Sequence, residues 1–209
     1  MNAVETVKVW DIAIRIFHWS LVSFFVIAFA THEDVGELHI VSGYIVLALV
    51  LFRILWGFVG TKYARFSDFV YSPSTVLRYL INLFTGKVDH YLGHNPAGGW
   101  MVLALLFSLL VVSYTGLKAY GAEGQGPLAG QVEFRLIQTA QAHNKEAHED
   151  EAEGGESGEG EGYWHELHEA ASDITLALIF LHLIGVAVAS RLHKEKLVLA
   201  MITGRKNKL

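Results

Sequence analysis

Two histidines fourteen residues apart, His168 and His182, stand in HELHEAASDITLALIFLHLIG (165–185), a run otherwise apolar enough to lie in hydrocarbon. An imidazole at membrane depth is costly. It is kept there to move protons, to hydrogen-bond within the protein or to hold a metal. Two more histidines have similar surroundings: His18 in RIFHW (15–19) and His39 in HIVSGY (39–44). Any one of them alone is explained by a packing or relay role. What they do as a set depends on the elements that carry them.

Those elements are legible from composition. The chain has 209 residues, 52% hydrophobic and 18% charged, with a mean hydropathy of +0.35. Four windows, at about 12–31, 37–60, 98–120 and 166–190, are apolar nearly all round. Each has roughly the 20 residues needed to cross a bilayer. A soluble helical domain would show polar stripes instead. The windows predict an all-α integral membrane protein, a four-helix bundle forming a single domain over 1–209, with an acidic loop at 121–165.

Lys and Arg in short flanks set orientation. Lys62, Arg65, Arg78 and Lys87 lie between the second and third windows, and Arg191, Lys194, Lys196, Arg205, Lys206 and Lys208 follow the fourth. The link THEDVGEL after the first window has none, and residues 143–161 hold eight acidic residues against Lys145. Both termini are therefore expected in the cytoplasm and the acidic loop in the periplasm. The net charge of −5 belongs to that loop.

With this orientation the four histidines sort into two depths. His39 and His168 lie toward the exterior, His18 and His182 toward the cytoplasm. Fourteen residues at 100° each fall about 40° short of four turns, with a rise of roughly 21 Å, so His168 and His182 face one quadrant of the bundle. Two bis-histidine haems stacked across the bilayer suit the arrangement, in the pairs His39/His168 and His18/His182. Iron with two axial imidazoles has no open position and supports electron transfer. His165 lies about 100° off the face shared with His182, and His94 and His193 fall in cytoplasmic flanks; none of the three is expected to be a ligand.

Other residues bear on this reading. The absence of cysteine excludes disulfides, thiolate metal sites and covalently attached c-type haem. No nucleophile–base pair lies within a helix, which argues against a hydrolase. Gly43, Gly116 and Gly185 are small enough for a flat macrocycle to approach, although small residues also serve helix contacts. Arg15 is a candidate for haem packing or a propionate, whereas Arg53 and Trp19 are expected to meet lipid head groups. SPSTVLRYLINLFTG (72–86) predicts a short interfacial helix with Val76, Leu77, Leu80, Leu83 and Phe84 on one face. VEFRLIQTAQA predicts another, and the Glu/Gly-rich stretch 143–162 predicts disorder.

RIFHW, HIVSGY, GHNPAGG (93–99) and the pair His168 and His182 together resemble the bacterial b561-type cytochrome family, which includes the b-type cytochrome subunit of membrane-bound nickel–iron hydrogenases. The resemblance spans about 180 residues and all four windows. It implies a bacterial inner-membrane cytochrome with two haem b groups, ligated by His18, His39, His168 and His182. Such a protein passes electrons between a periplasmic oxidoreductase and quinone or quinol. The acidic loop is longer than the family leads one to expect; it either attracts a basic partner, such as a multihaem c-type cytochrome, or is a solvated insert. An alternative reading makes the chain a small metal-ion transporter or sensor, with His143, His148 and the loop carboxylates gathering ions. No nucleic-acid partner is expected.

Overall fold

The computed structural model describes residues 6–32, 36–85, 89–129 and 156–207. Strand β1 (Thr6–Lys8) is followed by helices α1 (Ile12–Ala30) and α2 (Glu37–Val59), a single tight turn at Lys62–Ala64, and α3 (Phe66–Phe69). Then come α4 (Pro73–Thr85), α5 (Pro96–Ala122), α6 (Glu156–Leu192), α7 (Leu197–Thr203) and strand β2 (Arg205–Asn207). Helices take up 78% of the described residues. Four of them, α1, α2, α5 and the Gly162–Leu192 stretch of α6, are long and apolar enough to cross a membrane. Only 11–22% of each span is buried within the protein. Phe58, Phe107 and Phe180 are each at least 67% exposed, an outer surface that lipid can cover and water would not tolerate.

Local chemistry sets the helix ends. Asp11 caps α1, its Oδ1 accepting from the Ile14 amide at 2.8 Å. Thr31 closes the same helix by donating its hydroxyl to the Ile27 carbonyl at 2.8 Å. Asn95 accepts from the Gly98 amide at 2.7 Å, and Pro96 takes the first position of α5, where a missing N–H costs nothing.

The chain divides into two compact units, Met1–Phe107 with Ala177–Leu209, and Ser108–Leu176. In the first, α1 packs along α2, with the Phe17 and Phe52 rings 6.4 Å apart. A small core of Val9, Trp10, Ile14, Ala64 and Ala200 gathers the start of α1, the turn after α2 and α7. Oδ2 of Asp11 joins the two spans by accepting from Thr61 Oγ1 at 2.6 Å and Trp56 Nε1 at 3.2 Å. Strands β1 and β2 pair antiparallel, Val7 opposite Lys206. Both ends of the described chain therefore lie side by side. Gly204 makes the pairing possible: its φ of 79° ends α7 in the left-handed region, and its carbonyl accepts from the Val9 and Trp10 amides.

In the second unit, His165 pairs with Glu123 at 3.0 Å. Lys118 lies 5.8 Å from the Tyr114 and Trp164 ring centres, an aromatic and cationic grouping suited to a membrane interface.

The structure departs from the sequence reading in four places. Helix α6 begins at Glu156, about ten residues before the expected start, so the last part of the stretch expected to be disordered is helical. Helix α4 matches its expected span, but Tyr79, only 5% exposed, is its buried residue, while Leu77 and Leu80 are exposed; Tyr79 turns inward to Tyr91 and Asn95. The β1–β2 pair and α7 were not expected. VEFRLIQTAQA and residues 143–155 lie outside the described residues.

Candidate functional site

His39 sits in the first turn of α2, and its Nδ1 lies 2.9 Å from the Ala28 carbonyl. Ala28 lies in the last turn of α1, and its carbonyl also accepts from the Thr31 amide and hydroxyl, each at 3.3 Å. A carbonyl can only accept, which places the proton on Nδ1 and the lone pair on Nε2. Metal-binding histidines are oriented in this way. One turn on, a Cβ at Gly43 would meet nothing within 4 Å, and Ser42, 1% exposed, has an Oγ without a partner.

His168 is held in the same manner by α5. Its Nδ1 lies 3.1 Å from the Val112 carbonyl and 3.2 Å from Thr115 Oγ1. Thr115 is 2% exposed. Gly116 lets the ring reach them, since a Cβ there would stand 3.0 Å from Cε1 of His168.

His18 of α1 and His182 of α6 are half-buried and within electrostatic reach of each other. The Nδ1 of His18 is buried without a partner, and its ring meets Trp19 edge-on at 5.2 Å. A Cβ at Gly185, one turn beyond His182, would meet nothing within 4 Å.

A family model described as prokaryotic cytochrome b561 matches residues 9–204. The chain belongs to the prokaryotic cytochrome b561 family. No curated protein and no solved structure gave a match. The family is a helical membrane bundle that binds b-type haem and transfers electrons, and with four spanning helices this cytochrome is a multi-pass protein of the bacterial inner membrane.

The residues present fit the cofactor. The cytochrome offers imidazoles with assigned Nδ1 protons at positions 39 and 168 and a buried unpartnered Nδ1 at His18. It also has open space beside Gly43 and Gly185. Gly116 differs from those two, because it seats the His168 ring itself. Among the described residues, no group of three or more His, Cys, Asp or Glu side chains could hold a metal ion of its own.

The two arginines have different surroundings. Arg15 donates to the Ile202 carbonyl and packs on Gly204, tying α1 to α7. Arg53 was expected at lipid head groups, but it is 3% exposed. Its guanidinium lies 5.3 Å from the Phe66 ring centre and 5.7 Å from that of Phe69, because α3 folds those rings over it. Trp19, 40% exposed, does face outward.

In the sequence His94 reads as a cytoplasmic-flank residue of GHNPAGG and is not expected to be a ligand. It is enclosed between the rings of Trp10 at 4.7 Å and Phe69 at 4.6 Å, and its Nδ1 has no partner. Burial, reinforced by the positive charge of Arg53, Lys206 and His182, pushes its pKa down to about 3 and keeps the ring neutral. A signal for Arg53 was available in the sequence: it follows His39 by fourteen residues, the spacing that separates His168 from His182.

Proposed function

We propose that this cytochrome holds two haem b groups, ligated by His39 with His168 and by His18 with His182, and carries electrons between a periplasmic redox partner and membrane quinone. The inner pair carries the reading: His18 and His182, from the first and last spans, come within electrostatic reach in a half-buried setting. The outer pairing rests on depth and helical phase in the sequence, and the matching Nδ1 hydrogen bonds of His39 and His168 support it.

Bound haem would supply one-electron chemistry, and His18, His39, His168 and His182 are the residues that would hold it. The protein fixes the ligand tautomers through the Ala28 and Val112 carbonyls and keeps water away with apolar spans. The distribution of Lys and Arg supports an orientation with both termini in the cytoplasm and the acidic stretch 143–161 on the periplasmic side. Eight acidic residues there would steer a positively charged partner, a multihaem c-type cytochrome or the basic face of a hydrogenase-like oxidoreductase. The same scaffold serves quinone reduction and quinol oxidation.

The test is anaerobic addition of a quinol to the purified, oxidised protein. The b-type α-band should rise with quinol and reach its full height with dithionite. An α-band that dithionite develops and no quinol does would remove the quinone from the account; no α-band at all would remove the haem.

A further inference from the structure

Two buried charged cations occur among the described residues, Arg53 and Lys206. Lys206 is paired, its Nζ lying 3.0 Å from Glu195. Among the described residues, no carboxylate is in ion-pair contact with Arg53. Asp11, the acid whose charge reaches it, already accepts from Thr61, Trp56 and the Ile14 amide. The Nη1 of Arg53 is buried with no hydrogen-bond partner. A guanidinium in this state is among the costliest groups a protein can enclose, so native proteins supply it with an anion.

We propose that Arg53, with His94 beside it, anchors the propionate carboxylates of the haem held by His18 and His182. The inference rests on the haem reading above. Three observations place the anchor. First, Arg53 belongs to the buried stripe of α2, Ser42, Val46, Val50, Arg53 and Gly57. It follows His39 by fourteen residues, so it occupies nearly the same face roughly 21 Å deeper, the depth offset that separates His168 from His182. Second, His94 shares the Phe69 ring with Arg53 and presents a second unpartnered nitrogen within electrostatic reach of both Arg53 and His182. Third, the enclosure depends on Gly57, where any Cβ would overlap the Phe66 ring that covers the guanidinium. Arg is the residue suited to the task, because its planar fork matches a carboxylate with two parallel hydrogen bonds.

The experiment uses the purified holo-cytochrome with Arg53→Gln and Arg53→Lys. The readouts are the midpoint potentials of the two haems and the propionate bending band in the resonance Raman spectrum. In Arg53→Gln the carboxylate loses its counter-charge, which favours ferric iron. One midpoint, that of the haem removed by His182→Ala, should shift downward while the other stays, and the propionate band should move. Arg53→Lys should restore part of the midpoint but not the band, since an ammonium lacks the fork. Unchanged midpoints and an unchanged band in Arg53→Gln overturn the proposal. So does loss of quinol reduction with both unchanged, which would assign Arg53 to the quinone. If the Gln variant does not assemble, an unchanged band in Arg53→Lys overturns it alone. A wild-type protein without an α-band would instead refute the haem reading itself.

Discussion

The imidazole of His168 rests on Gly116, so close that a Cβ at position 116 would lie 3.0 Å from its Cε1, and from that seat it donates Nδ1 to the Val112 carbonyl 3.1 Å away. A glycine in mid-helix costs about 1 kcal/mol relative to alanine, and this one is explained by the ring it admits. Gly116→Leu should therefore displace His168 and cost one haem of two, with the other retained. Gly116→Ala, which asks for a shift of a few tenths of an ångström, should keep both with one midpoint altered. Haem content and redox titration of the two variants check this. Two undisturbed haems in Gly116→Leu would detach His168 from the outer site.

Asp11 provides the pH dependence. Burial by itself would raise its carboxyl, but hydrogen bonds from Thr61, the Ile14 amide, Trp56 and the Ala13 amide together hold it below the ordinary carboxylate value. A depressed folded-state pKa contributes stability that is present above the unfolded value of about 3.9 and is lost as pH falls through the lower folded value. Thermal stability in detergent should drop in that acid window. Asp11→Asn should cost about 1–2 kcal/mol at neutral pH and flatten the acid limb. An unchanged limb would place the acid sensitivity elsewhere.

His165 lies one turn before His168 on the same helix, and its exposed pairing with Glu123 at 3.0 Å is worth at most about 1 kcal/mol. His165→Ala should retain both haems and both midpoint potentials. Loss of either haem would show that the ligand set has been drawn wrongly.

The distribution of Lys and Arg predicts sidedness. A green fluorescent protein fused after Leu209 should fluoresce in the cytoplasm, and alkaline phosphatase inserted within 143–155 should be active. The reverse pattern would invert the cytochrome in the membrane.

The spans were legible because lipid demands apolar residues all round a helix, which no local competitor mimics. The levels assigned to the four histidines rest on a related rule: depth and phase along a straight helix follow from counting. Contacts between distant segments were not. Strands Thr6–Lys8 and Arg205–Asn207 are each three residues long, too short for any alternation to register, and only their mutual pairing makes them strands. Arg53 near a span end reads as a lipid anchor until α3 covers it with Phe66 and Phe69. His94 reads as a loop residue until Trp10 and Phe69, remote in the chain, enclose it. Its burial is tertiary in origin, and no window around GHNPAGG carries it.

The central claim is that four histidines hold two haems in two independent pairs. The ratio of haem b to protein, measured on the purified wild type and on His168→Ala and His182→Ala, tests it most directly. The expected ratios are two in the wild type and one in each variant, with different haems surviving. A wild-type ratio of one, or a ratio of two in either variant, would contradict the pairing.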